Sequence, residues 1–317
     1  MLAEAFALQQ AGRLAEAEKA YNQILAAQPD HFDSLHLLGI VCHRRGDDAQ
    51  ALRHIDLALE INPTDILALN NRGIALRALK RFEDALASYD RAQALWPDYA
   101  EALLGRGNAL KELQRFEEAL SSYDRTLRLR PDWVDVHVNR GIVLHALKRL
   151  EEALASCDHA LMLRPDLAEA HANRGSALHE LKRFDEALAS HDRALALRPD
   201  YAEARYNRGN ALHKLRRFEE ALADCERALA LRPDYVEALA NRGVTLHELR
   251  RYEEALASYD RALAVRPDYA EAFVDRGGTL REQRRFEEAV QTFFSVYFDC
   301  IRRLTSRKLK SLNIDPK

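Results

Sequence analysis

Cysteine is scarce in this 317-residue chain: Cys42, Cys157, Cys225 and Cys300 are the only four, and no two form a CxxC pair. That spacing excludes a disulfide framework and a structural zinc site built on paired thiols. Buried thiols in a reducing cytoplasm are the expectation. Long apolar runs are also missing, and none approaches the roughly 20 residues that span a bilayer. The first fourteen residues lack a basic start and are broken by Glu4, Gln9 and Gln10, so they do not read as a signal peptide. A continuous basic stripe is lacking too. Net charge is −3, and residues 302–317 hold six basic groups against Asp315, a local +5 that leaves −8 on the first 301 residues. Such an acidic array argues against nucleic acid as a partner.

The nine prolines and twelve glycines are too few for linkers, and their placement is regular. Pro29, Pro63, Pro97, Pro131, Pro165, Pro199, Pro233 and Pro267 recur every 34 residues. Each removes a backbone donor and ends a helix at the same phase. Gly39, Gly73, Gly107, Gly141, Gly175, Gly209, Gly243 and Gly277 keep the same period, as does the alanine row from Ala51 to Ala255. Small residues at fixed phase let two helices approach. Leu76, Leu110, Leu144 and their equivalents, with Phe82, Phe116 and Phe184, supply the bulk between them. The unit predicted is a helical hairpin, and an array of hairpins buries its core by stacking.

Leu38-Gly39, Ala51, Ile55, Ala58 and Pro63 sit where the tetratricopeptide (TPR) pattern places them, and the chain resembles that family over nearly its whole length. The resemblance implies an all-α, right-handed superhelical solenoid. It divides the chain into a partial repeat at 1–31, seven complete repeats at 32–65, 66–99, 100–133, 134–167, 168–201, 202–235 and 236–269, a degenerate repeat at 270–303 and a basic tail at 304–317. Two positions depart from the pattern. The usual tryptophan is Leu, His, Arg or Phe, and the usual leucine before the glycine is arginine from Arg72 to Arg276.

In this family the first helix of each hairpin lines a concave face, which the resemblance assigns to positions two, five, six, nine, twelve and thirteen of each repeat. Position two is acidic, as in Glu169, Glu203 and Glu237; position twelve is basic or imidazole, as in His145, His179, His213 and His247. Helix-dipole complementarity accounts for both rows. They would equally give a groove one acidic edge and one pH-sensitive edge of exposed imidazole. Between them runs Asn71, Asn139, Asn173, Asn207 and Asn241. Asparagine is a poor helix former, and its amide donates and accepts at once, so a ladder of them can hold an extended peptide backbone. That ladder resembles the one in the TPR superhelix of O-linked N-acetylglucosamine transferases. Local bonding within the solenoid is the alternative, and duplication copies residues regardless of use: residues 168–201 and 202–235 match at twenty-five of thirty-four positions.

A chaperone-type (Hsp70/Hsp90) carboxylate clamp needs lysine at position two or five; position two is almost wholly acidic and neither position carries a lysine, so none is expected. Neither a metal, a cofactor nor catalysis is expected. Helices roughly 8–10 Å apart keep neighbouring histidines beyond one zinc at about 2 Å per bond, and repetition opposes the convergence of unlike residues that catalysis needs. After Phe286 the next proline is Pro316, and Val290, Phe294, Tyr297, Ile301 and Leu304 predict one long capping helix to about residue 310. The function read from these features is a cytoplasmic, bacterial, non-enzymatic scaffold holding an extended polypeptide. The alternative is the substrate-recognition part of a glycosyltransferase system whose catalytic domain lies in another chain.

Overall fold

The computed structural model describes residues 1–292, and every regular element among them is an α-helix. The hairpins are α1 (Leu2–Gln10) with α2 (Leu14–Ala27), α3 (Phe32–Arg44) with α4 (Asp48–Ile61), α5 (Ile66–Ala78) with α6 (Phe82–Leu95), α7 (Ala100–Glu112) with α8 (Phe116–Leu129), and α9 (Val134–Ala146) with α10 (Leu150–Leu163). They continue as α11 (Ala168–Glu180) with α12 (Phe184–Leu197), α13 (Ala202–Lys214) with α14 (Phe218–Leu231), and α15 (Val236–Glu248) with α16 (Tyr252–Val265). Then comes α17 (Ala270–Glu282), and residues 286–292 are again helical. From residue 293 the expected capping helix, the basic tail and Cys300 lie outside the described residues. The chain forms two compact units, Met1–Arg164 and Pro165 onward.

The turn inside each hairpin is made without proline. Gly12 and Gly46 supply positive φ in the first two hairpins, but Lys80, Gln114, Lys148, Lys182, Arg216, Arg250 and Arg284 do so afterwards, at φ 57–61°. Each is the left-handed residue of a helix stop: Lys80 N–H reaches Arg77 O at 2.9 Å, and Arg81 N–H reaches Leu76 O at 2.8 Å. The next residue opens the second helix and pairs with a carboxylate one turn on, as Arg115 does with Glu118 at 2.6 Å.

Glycine's place in the repeat follows from one ring. Tyr89, Tyr123 and Tyr259 on second helices are fully buried. A Cβ on Gly107 would stand 2.5 Å from the Tyr123 ring, and one on Gly243 would stand 2.5 Å from Tyr259. His191 takes the tyrosine's position over Gly175 in α12, and Cys157 and Cys225 take it in α10 and α14. All three described cysteines are buried, and burial pushes the Cys225 thiol up to about 12, so it is not a nucleophile.

The arginine that replaces the family's leucine is a tie between second helices. Arg106 donates through Nε to Asp90 at 2.7 Å on α6 and through Nη1 to Ser122 at 2.8 Å on α8. Arg72 joins Asp56 to Ser88 in the same way, and Arg140 joins Asp124 to Ser156. In α13, Arg208 bridges Asp192 to Asp224, a carboxylate only 1% exposed that stands where other hairpins carry serine. Burial raises the pKa of Asp224 against the opposing pull of Arg208.

Candidate functional site

Within each unit the first helices form the tighter side. α5 meets α7, α7 meets α9, α11 meets α13 and α13 meets α15, whereas among the described residues second helices meet only first helices. Side chains at positions six, nine, twelve and thirteen of successive first helices therefore converge.

The asparagine amides are partly spent on this convergence. Asn71 Nδ2 lies 2.9 Å from His36 Nε2. Asn139 accepts from Lys111 Nζ at 3.0 Å and donates to Asp135 O at 3.0 Å, so both its ends are engaged. Asn207 donates to Ser176 Oγ at 3.3 Å, and Asn241 donates to Asn210 Oδ1. Asn173 shares their half-buried setting, and its Nδ2 is shielded from solvent. Local bonding is thus present along the row, and these bonds leave Oδ1 of Asn71, Asn207 and Asn241 unused.

The histidines correct the sequence-based picture. His145, His179, His213 and His247 are half-buried rather than exposed. His179, His213 and His247 pack edge-on against Phe184, Phe218 and Tyr252 at ring separations of 5.2–5.3 Å. The aromatic that opens the second helix folds under the imidazole that nearly closes the first. Burial lowers the pKa of His179 and His213, which favours the neutral imidazole at these two positions.

The acidic edge is also engaged. Arg130 meets Glu101 at 2.9 Å, Arg232 meets Glu203 at 2.8 Å and Arg266 meets Glu237 at 2.9 Å, each within one hairpin, while Glu169 is exposed at the same repeat position. The same arginines lie on the aromatic residue three positions on: Arg130 is 4.2 Å from the Trp133 ring centroid and Arg232 is 3.6 Å from that of Tyr235. Solvent screens such exposed pairs strongly. Sequence reading missed this lattice, although the recurring Arg-Pro-Asp-Tyr contains both partners of the ring contact; the glutamate lies 29 residues earlier.

Two cavities open on the first-helix side at one repeat phase. In the first unit about 450 Å³ lies among Arg77, Asn108, Lys111, Glu112 and Asn139, from α5 to α9. In the second unit about 240 Å³ lies among His179, Asn210, His213, Lys214 and Asn241, from α11 to α15, and reaches down to Gly209 and Cys225. These five residues are the equivalents of the first five, three repeats on. The structure thus brings His179, His213 and Asn241 around one cavity and Asn139 to the other. Glu169, Glu203 and Glu237 line neither. Among the described residues no three His, Cys, Asp or Glu side chains gather as a metal site, and no helix is long and apolar enough to cross a membrane.

Models of the tetratricopeptide repeat match residues 2–66, 70–132, 104–168, 202–235 and 236–269, and a TPR repeat model matches 175–215. The chain belongs to the tetratricopeptide-repeat family. No curated protein sequence matches it. Among solved structures, a chain of the APC/C hetero-tetramer Cut9-Hcn1 aligns with a TM-score of 0.67 at 16% identity over 84% of this chain and 52% of that one, so this TPR chain spans about half of that relative's length. A tetratricopeptide repeat protein from Parabacteroides merdae aligns at 0.63 and 18% identity, over 78% of this chain and 98% of that one. YrrB, described as a TPR protein with an unusual peptide-binding site, aligns at 0.50 and 29% identity over 58% of this chain and 95% of its own.

Proposed function

We propose that this TPR chain is a protein–protein interaction scaffold that holds an extended polypeptide along the first-helix side of its hairpins. The observation that carries the reading is the recurrence of one cavity, with asparagine at position nine and a basic or imidazole group at position twelve, in both units. Repeating cavities with amide groups between them suit a ligand that is itself periodic, as an extended main chain is. The peptide-binding site named for YrrB supports the class of ligand. The neutral imidazoles and paired carboxylates favour a segment without high net charge.

The test is selection of twelve-residue peptides from a random library on the intact chain, followed by calorimetry. Replacing Asn173, Asn207 and Asn241 together by alanine should weaken a selected peptide about tenfold or more, since each lost hydrogen bond contributes roughly 0.5–1.5 kcal/mol. The melting temperature should hold, because alanine's better helix propensity offsets the lost local bonds. Unchanged affinity with a lowered melting temperature would show that the asparagines serve the solenoid and that ligands bind elsewhere.

A further inference from the structure

The cavity of the second unit has a floor at Gly209 and Cys225 that its counterpart in the first unit lacks, and that floor is the place of a missing tyrosine. In hairpin α7/α8 the Tyr123 ring fills the space over Gly107, and its hydroxyl donates to Asn108 Oδ1 at 2.8 Å. Hairpin α13/α14 repeats this arrangement 102 residues later, with Gly209 for Gly107 and Asn210 for Asn108, but Cys225 stands where Tyr123 would. The thiol is too small to fill the place: above Gly209 an added Cβ would meet nothing nearer than 3.4 Å, and Cys225 Sγ lies 3.7 Å off. The cavity of about 240 Å³ opens onto this void. The acceptor that serves the phenol in α7/α8 is retained: Asn210 Oδ1 accepts from Asn241 Nδ2, and a carbonyl oxygen with two lone pairs has room for one donor more. Nε2 atoms of His179 and His213, which also line the cavity, are shielded from solvent and lack a hydrogen-bond partner among the described residues.

We propose that this cavity takes the side chain of a tyrosine from the bound polypeptide, its ring over Gly209 and its hydroxyl bonded to Asn210 Oδ1. Aromatic rings carry the largest apolar area of any side chain and want a partner for the hydroxyl when buried. The walls offer both: the Gly209 face and Val244 for the ring, an amide and two imidazoles for the oxygen. This deepens the scaffold reading and rests on it for the origin of the tyrosine, while the cavity's own chemistry can be tested without any peptide.

The probe is p-cresol, the tyrosine side chain as a small molecule, titrated into the isotope-labelled intact chain and followed by amide shifts. Shifts should centre on residues 209–213 and 241–245. Cys225→Tyr, which restores the chain's own ring, should weaken p-cresol at least tenfold and raise the melting temperature, whereas Cys225→Ala should keep binding. Asn210→Leu should weaken p-cresol at least fivefold and leave toluene unchanged, which decides the case even where Cys225→Tyr folds poorly. Millimolar p-cresol that leaves these residues unperturbed, or equal affinity for the Asn210→Leu chain, would overturn the proposal. Failure here with intact asparagine-dependent peptide binding would remove the tyrosine pocket alone; the reverse would remove the peptide ladder alone.

Discussion

Arg106 donates to Asp90 at 2.7 Å across the space between α7 and α6, and its other nitrogen reaches the buried Ser122 at 2.8 Å on α8. One side chain thereby sets the distance between two second helices that do not otherwise touch. Arg106→Leu, which restores the residue usual in the family, should lower unfolding free energy by about 1–2 kcal/mol. A charge-assisted bond contributes more than a neutral one, but Asp90 is half exposed and its share is screened. A double-mutant cycle with Ser122→Ala in chemical denaturation checks it. Additive effects would show that the arginine acts only as packing.

The left-handed residues between helices should be replaceable at a gain. Lys182 and Arg216 sit at φ 61°, a region that crowds Cβ against the following carbonyl and costs roughly 1–2 kcal/mol. Gly46 fills the same place in an earlier hairpin without that cost. Lys182→Gly with Arg216→Gly should stabilise the second unit by about 1 kcal/mol or more in a denaturant titration, after the glycine's extra chain entropy is deducted. A lower midpoint would mean that the stems of these side chains hold the turn by packing.

Much of this fold was legible because a 34-residue clock repeats every cause along with its effect. Pro97 ends a helix for the same reason as Pro131, and Gly107 faces a ring as Gly243 does. Ties that cross between helices were harder to read. Arg72, Asp56 and Ser88 lie 16 residues apart on either side, a spacing that repeats with the clock and was visible, but only the stacked geometry shows that the three side chains meet. The site suffered in the same way. Position within a repeat placed His213 and Asn241 on the first-helix side, yet whether an imidazole faces water or a phenylalanine depends on Phe218, in the next helix.

A carboxylate clamp should be absent from this array. Position two carries Glu101, Glu203 and Glu237 where such a clamp needs lysine, and the arginines that meet them are already paired. Calorimetry with an acidic peptide bearing a free C-terminus should show no measurable heat. Micromolar affinity that disappears on amidation of that terminus would reassign the ligand-facing rows.

His191 should make the second unit sensitive to acid. It occupies the ring position over Gly175, where an added Cβ would come within 2.6 Å of its Cε1, and it has no exposed surface. Burial lowers its pKa to about 3, and the neighbouring His179 and Arg208 push in the same direction. Folded protein therefore keeps this imidazole neutral while the unfolded chain takes up a proton near 6.5. Because the folded value is depressed, the contribution is complete above about pH 6.5. It is lost as pH falls below that, at roughly 1.4 kcal/mol per pH unit until the folded value is reached. Hydrogen exchange of the α12 amides, measured from pH 7 to pH 4.5, reads this locally without assuming that an array unfolds in one step. In the wild type the opening free energy should fall by about 2–3 kcal/mol over that range. His191→Phe keeps a ring over Gly175 and removes the titrating group, so its profile should be flatter by that amount. Parallel profiles for the two chains would show that the acid sensitivity of α12 comes from another group with a depressed pKa, such as the neighbouring His179.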